Sequence, residues 1–362
     1  MSALVGVLGG GGAIGMETVA FLLRHVPDLE VLALGRSPDR LAGVRERHGK
    51  GVRTRTLDCS DAPALGEALG QCDVVCNCAG PSSVLGPRVA GEVLRAGVPY
   101  VDPAGEAALL AVFERPQAPA ARASVVLGAG LVPGLSGIVP LWLQQVVVDG
   151  GDRPWERMRV YYAAMDTFSL TAAYDYADSI RKAPPPEATA ARPHFVEMPF
   201  SGHTFLAFAH TSAEIRRVCA SSGISLAFHN CFIGEEMPRA LAAVADTRRA
   251  PLSMDEAALV LRDASRACAS RYGQGHFLLC QARRADGQSA SLAVAVEDAN
   301  ALMGAMVGLA VEAVLGGRTQ GVRYFAEALP ARHVMRRLAG YGLLRMKPSA
   351  TSGTPMAREK EA

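Results

Sequence analysis

Apolar positions along this chain fall into two alternating rhythms. Short, mainly apolar runs occupy residues 4–8, 29–34, 72–78, 99–101 and 124–127, a further short strand is read over the more polar 52–57, and the stretches between them are long enough for helices. Runs of four to seven apolar residues bounded by glycine, proline or aspartate read as buried strands. Strand and helix in strict alternation predict parallel βαβ units with right-handed crossovers. The expectation is an α/β fold: an N-terminal Rossmann doubly wound parallel sheet over residues 1–130, followed by a second α+β domain over 131–297.

The second half is patterned differently. Residues 157–162, 200–209, 224–233, 277–282 and 289–296 read as strands, the last two joined by a hairpin at Gly287. Residues 255–270 repeat apolar side chains at three and four, as a helix covering one face of a mixed or antiparallel sheet does. Lys182-Ala183-Pro184-Pro185-Pro186-Glu187 is a loop, because consecutive prolines fit neither a helix interior nor a central strand. It suits a lid or a spacer equally. Residues 299–315 are apolar all round, which predicts a buried helix. They belong to a set of C-terminal helices, 298–346, that returns to the first domain. The tail, 347–362, is poor in apolar residues and is expected to be disordered.

The first strand opens into the most informative stretch. Gly10, Gly12 and Gly15 fit G-x-G-x-x-G between a strand and a helix that begins at Ala13-Ile14. In that dinucleotide fingerprint the first glycine permits the turn, the second admits a pyrophosphate to bare backbone, and the third lets helix and strand pack closely. The helix N-terminus adds free N–H groups and a positive dipole end. An NAD-binding chain places a carboxylate about 20 residues further on, against the ribose 2′-hydroxyl. Here the second strand ends in Gly35-Arg36-Ser37, without one. Arg36 and Ser37 suit a 2′-phosphate and hence NADP, although Ser37 is equally placed to cap the helix begun by Pro38. Asp58 can face the adenine edge or cap a helix. Ala79, Gly80 and Pro81 follow the fourth strand, at the side of the crevice where such sheets bind ligands.

Composition narrows the class. The 362 residues exceed one small core, and 49% hydrophobic against 20% charged is ordinary for a globular enzyme. A net charge of +2 without a basic run excludes nucleic acid as a partner. No apolar segment approaches the ~20 residues that span a bilayer, and the start lacks a signal-peptide pattern, so a cytoplasmic location is expected. None of the eight cysteines has metal-site spacing, and they read as reduced core thiols.

Three stretches resemble the saccharopine dehydrogenase-like oxidoreductases: the glycine-rich turn at 9–15, residues 72–106, and Gly128-Ala129-Gly130-Leu131-Val132-Pro133-Gly134-Leu135-Ser136-Gly137. The middle stretch is the most specific. It carries a strand ending Asn77-Cys78-Ala79-Gly80-Pro81, then a helix, then Ala96-Gly97-Val98-Pro99-Tyr100-Val101-Asp102 and Gly105-Glu106. The resemblance implies NADP as cofactor, with Tyr100 and Asp102 beside it. It also implies that the 299–315 helix lies between domains or in the interface of a homodimer. One departure stands out: saccharopine reductase has an Asp-His pair where this chain has Ser136-Gly137, which argues against saccharopine itself as substrate.

Within that family the expected reaction is NADPH-dependent reduction of a C=N bond in an opine-like or ring imine. A trans-acting enoyl reductase, working on a C=C bond of a lipophilic or carrier-tethered substrate, is the neighbouring reading. A non-catalytic NADP sensor is a reading of another class. Asp166, Thr167, Ser169 and Thr171 resemble a hydroxyl-rich substrate wall, though Asp166 or Ser169 can instead cap a helix. For the proton donor, Asp102, Tyr174, His203 and His229 are the leading candidates, with Tyr176, His210 and His276 behind them. Asp102 has an alternative role as the cap of the helix that follows it.

Overall fold

A computed structural model describes residues 2–105, 107–115, 124–147, 155–182, 192–246, 251–351 and 360–361. Glu106, the prolines at 184–186 and residues 352–359 lie outside the described residues.

The first part of the chain keeps the strand–helix alternation: β1 (Ala3–Leu8), α1 (Ala13–His25), β2 (Leu29–Gly35), α2 (Pro38–His48), β3 (Val52–Thr56), α3 (Ala62–Leu69), β4 (Val74–Asn77), α4 (Ser82–Ala96), β5 (Tyr100–Val101), α5 (Ala107–Phe113), β6 (Val125–Leu127) and α6 (Leu135–Val147). There follow β7 (Arg157–Ala164), α7 (Leu170–Lys182), β8 (His194–Met198), β9 (His203–His210), α8 (Ala213–Ser222), β10 (Leu226–Phe232), α9 (Glu236–Ala245), α10 (Met254–Tyr272), β11 (His276–Arg283) and β12 (Ser289–Val296). The chain closes with α11 (Ala299–Leu315), β13 (Val322–Tyr324), α12 (Phe325–Ala328), α13 (Ala331–Gly340), β14 (Leu344–Thr351) and β15 (Lys360–Glu361).

These elements form two compact units. The first combines three segments, Met1–Ile138, Ser212–Arg217 and Asp298–Gly340; the second holds Val139–Thr211, Val218–Glu297 and Tyr341–Ala362.

In the first unit seven strands lie in the order β13-β6-β5-β4-β1-β2-β3, every neighbouring pair parallel. Strand order reverses at β1, because β2 and β3 extend to one side of it and β4, β5 and β6 to the other. The Rossmann fold expected from the apolar runs is therefore present, extended by a strand from residue 322 onward. Leu8, Leu34, Leu65, Val75, Val93 and Tyr100 are among the side chains that fill the core on one face.

Helix α11 belongs to this unit and packs along α1. Glycines set the distance of approach: a Cβ at Gly304 would stand 2.6 Å from the Glu17 carbonyl carbon, and one at Gly308 would stand 2.1 Å from the Phe21 ring. Burial of the all-apolar helix is thus explained by α1 within the unit.

The second unit is built on a mixed eight-stranded sheet, β14-β12-β11-β7-β10-β9-β8-β15, in which only β7 and β10 run parallel. It curls until β8 approaches β11 across the three strands between them. Alternate side chains point into the curl, where Tyr161, Val196, Phe205, Ala207, Cys231, Leu279 and Ala293 form a core. Helices α7, α9 and α10 pack on one another, with Phe232 of β10 among their contacts.

The tail expected to be disordered from 347 departs from that reading. Residues 347–351 continue β14, antiparallel to β12 from Ser289↔Thr351 to Val296↔Leu344. Their order comes from main-chain pairing to a buried strand, which needs no apolar side chains of its own.

Candidate functional site

At the carboxyl end of β1 each glycine has its own reason. Gly9 takes a positive φ of 72°, and a Cβ there would stand 2.7 Å from the backbone of Cys78 and Ala79. The Gly10 N–H donates to the Leu34 carbonyl at 3.0 Å, tying the turn to β2. A Cβ at Gly15 would stand 2.1 Å from the Gly9 carbonyl oxygen, so α1 can approach β1 this closely only with glycine. Gly12 is unlike these. A Cβ there would meet the Gly9 oxygen at 3.1 Å and nothing else within 4 Å. Open space thus fronts bare backbone, and the first-turn amides of Ala13 and Ile14 have no acceptor inside the helix. This cradle fits a pyrophosphate, held by N–H groups and the helix dipole.

Beyond β2 the surroundings are basic. Arg36 is exposed. Ser37 accepts from the Arg40 N–H at 3.4 Å, so it does cap α2. The first turn of α2 lies against the glycine turn, since a Cβ at Gly11 would meet the Arg40 Cβ at 2.8 Å. Asp58 accepts from both the N–H and the hydroxyl of Ser60 at 2.8 Å. These bonds, followed by the charges of Arg36 and Arg88, hold its carboxyl below the usual range. The helix cap is Asp61, which accepts from the Ala64 N–H at 3.1 Å. Guanidinium groups around an already engaged Asp58 fit a ribose 2′-phosphate. Arg40 and Arg88 escaped the sequence reading because each lies on a helix, where an arginine looks like ordinary solvated surface.

On the other side of β1, the ends of β4 and β5 are joined by a buried polar network. Asp102 is 1% exposed. Its Oδ1 accepts from the Ala104 N–H at 2.8 Å, and its Oδ2 accepts from Asn77 Nδ2 at 3.0 Å and from the Tyr100 hydroxyl. Asn77 Oδ1 in turn accepts from the Ala79 N–H at 3.3 Å, which fixes the half-buried Ala79-Gly80-Pro81 segment. Tyr100 is fully buried, and burial together with the Asp102 charge pushes its phenol well above the ordinary range. Tyr100 thus supports Asp102 from within the core and presents no surface to a ligand. Asp102 holds the turn at Ala104, two residues on.

In the second unit the structure gathers some of the sequence candidates and separates others. Asp166 meets a histidine: His276 places Nε2 3.5 Å from Asp166 Oδ2 and Nδ1 3.0 Å from the Tyr162 hydroxyl. The His276 bond holds the Asp166 carboxyl below its ordinary value against the opposing effect of burial. Burial raises the Tyr162 phenol. Thr167 donates its N–H to Asp166 Oδ1 at 2.7 Å, and Ser169 accepts from the Ala172 N–H at 3.2 Å with Thr171 Oγ1 3.0 Å away. Ser169 therefore caps α7, one of the two roles its position allowed, and these hydroxyls adjoin the Asp166–His276–Tyr162 relay in the chain.

The other candidates sit apart. His229 is buried in the curl, stacked on Tyr161 at 4.9 Å and edge-on to His194 at 5.2 Å. Burial, then the neighbouring His194, lowers its pKa to about 4, so it is neutral at neutral pH. Its Nδ1 has no hydrogen-bond partner. His203 lies edge-on to Tyr272 at 6.1 Å, and Tyr174 packs among the apolar residues of α7, α9 and α10. Sequence reasoning ranked His276 behind these, because only strand register sets it beside Tyr162 and Asp166, more than a hundred residues earlier.

Comparison with known proteins follows the same lines. Residues 5–131 match the family described as saccharopine dehydrogenase NADP binding domain. Among solved structures, saccharopine dehydrogenase (L-Glu forming) from Saccharomyces cerevisiae is similar over 97% of this chain and 100% of its own, with a TM-score of 0.66 at 14% identity. Homospermidine synthase from Legionella pneumophila, solved in complex with NAD, is similar over 97% of this chain and 91% of its own, with a TM-score of 0.63 at 11% identity. No curated protein matches the sequence. Among the described residues no helix is long and apolar enough to cross a membrane.

Proposed function

We propose that this chain, whose residues 5–131 match the saccharopine dehydrogenase NADP binding domain, is an NADPH-dependent reductase of a C=N bond in an opine-like or ring imine. The observation that carries the reading is the open cradle at Gly12 flanked by Arg36, Arg40 and Arg88, with Asp58 already engaged. When bound, NADPH supplies a hydride to the electrophilic carbon.

What remains is the work of this chain's residues. Gly12, Ala13 and Ile14 hold the phosphates, and Arg36 the 2′-phosphate. Asn77 and Asp102 fix the backbone beside the crevice. The substrate nitrogen takes up a proton as the carbon takes up the hydride. Within the second unit, the chain of bonds from the Tyr162 hydroxyl through His276 to the half-exposed Asp166 is a built path along which a proton can travel. His229, stacked in the curl, is neutral at neutral pH and has no such chain of charged partners.

The test is NADPH oxidation, followed by loss of the reduced nicotinamide absorbance, against cyclic imines, amine and 2-oxo acid pairs, and enoyl thioesters. Imine-dependent oxidation supports the reading. Turnover of enoyl thioesters alone makes the chain a C=C reductase, and NADPH binding without turnover of either class makes it a sensor; each outcome overturns the proposal.

A further inference from the structure

The turn that follows β6 is held by a carboxylate from a distant part of the sequence. Glu214, on the first turn of α8, belongs to the Ser212–Arg217 segment of the first unit and is 1% exposed. Its Oε1 accepts from the Gly134 N–H at 2.7 Å and its Oε2 from the Ser136 hydroxyl at 2.6 Å. Burial pushes this carboxyl up to about 7, while the bonds from Ser136 and Gly134 pull against the rise.

The turn it holds is packed backbone on backbone. Gly134 takes a φ of 126°, and a Cβ there would stand 2.1 Å from the Gly130 oxygen. A Cβ at Gly130 would stand 2.7 Å from the Pro103 oxygen, and one at Gly137 2.9 Å from Glu214 Oε1. Backbone bonds such as Leu135 N–H to the Gly130 carbonyl and Ser136 N–H to the Leu131 carbonyl close the turn on itself, and Glu214 is the side chain from outside it that bonds both its backbone and its Ser136 hydroxyl. Packing alone would be served as well by a leucine, since burying a carboxyl is costly unless its bonds are needed. Three residues on, Arg217 anchors the same segment separately, with Nε on Glu327, Nη1 on Glu114 and Nη2 on the Val322 carbonyl, at 3.1, 3.1 and 3.2 Å. The segment therefore stays docked when Glu214 is replaced.

Strand order gives the turn its meaning. With the reversal at β1, a dinucleotide lies with its adenosine half toward β2 and its nicotinamide half toward β4, β5 and β6. We propose that Glu214 is a positioning residue for the nicotinamide half of the crevice, setting the shape of the 128–136 turn at the ends of β5 and β6 and leaving the adenosine half untouched. This rests on the reading that the unit binds NADP.

The experiment uses the full chain and two probes, NADPH and 2′,5′-ADP, titrated calorimetrically into the wild type, Glu214→Ala and Glu214→Gln. Glu214→Ala is expected to weaken NADPH by about tenfold, the scale of losing charge-assisted hydrogen bonds, and to leave 2′,5′-ADP within about twofold. Glu214→Gln should restore NADPH binding, because its amide still accepts from Gly134 and can donate to Ser136. Equal weakening of both probes, no weakening of either, or failure of glutamine to rescue overturns the proposal. If Glu214→Ala does not fold, Ser136→Ala decides: a smaller loss confined to NADPH supports the proposal, and unchanged binding of both probes overturns it. A wild type that binds neither probe overturns the NADP reading itself, a result distinct from all of these.

Discussion

Gly12 and Gly15 sit three residues apart in one motif, yet the structure gives them separable tasks. At Gly12 the backbone has φ −84° and ψ 169°, open to any residue. Its added Cβ meets one oxygen at 3.1 Å. Gly12→Val should therefore fold, at a cost of about 1 kcal/mol for a poorer helix N-cap. Its two methyl groups would project where phosphate oxygens accept from Ala13 and Ile14. Losing one such charge-assisted bond, at ~1.5–3 kcal/mol, predicts NADPH weakened by roughly 10- to 150-fold. Gly15→Ala does the reverse. Its Cβ would fall 2.1 Å from the Gly9 oxygen, 2.8 Å from the Gly9 carbonyl carbon and 2.9 Å from the Gly10 Cα, all backbone that cannot step aside. Overpacking of this kind costs ~3 kcal/mol or more. Urea unfolding and NADPH titration on both variants separate the two. Wild-type NADPH affinity in a folded Gly12→Val protein refutes the cradle, and an unchanged urea midpoint for Gly15→Ala refutes the helix–strand contact.

Three further outcomes follow from the same geometry. Arg36→Ala should weaken NADPH about tenfold and leave NADH unchanged; equal loss of both would show that Arg36 does not bind the 2′-phosphate. Asp102→Asn sets an NH2 group against either the Ala104 N–H or the Asn77 and Tyr100 donors, and should destabilise the fold by ~2 kcal/mol; an unchanged melting temperature with lost turnover would instead assign Asp102 to the chemistry. Glu214 has its pKa raised from 4.5 to about 7, so between those values the folded chain keeps a proton that the unfolded chain releases. Its stabilising share is full below about 4.5 and is lost as pH rises through about 7, by up to ~3 kcal/mol. Urea midpoints of the wild type should therefore fall relative to Glu214→Gln between pH 5 and pH 8, and parallel curves would contradict the shift.

The first unit was largely legible in the sequence, because a parallel strand buried on both faces leaves a continuous apolar run and a glycine turn after it is hard to mistake. What escaped reading was short, or remote in sequence. Strand β13 has three residues and no periodicity, and exists through its pairing with β6. Glu214 looks like any acid in the first turn of a helix, where acids are favoured; only the folded chain sets it against Gly134 and Ser136. His276 was one histidine among several until strand register set it opposite Ala164, diagonal to Tyr162. The hydroxyls at 167–171 were read as a substrate wall or a helix start, and the local bond from Ala172 to Ser169 settles what Ser169 does without deciding what the others face.

The first unit is not contiguous in the gene. Between Ile138 and Asp298 the ribosome makes 159 residues, all but six of them for the other unit. At about 5–20 residues per second, that interval lasts roughly 10–30 s. Throughout it, β6 lacks its partner β13, α1 shows the face that α11 will cover, and Phe21 lies bare opposite a helix not yet made. An unpaired strand edge beside an exposed apolar helix face invites aggregation. Truncation before residue 298 would make that transient state permanent. The nucleotide-binding unit is thus closed only after most of the other unit has been made, and until then the face that its own C-terminal segment will cover stays open.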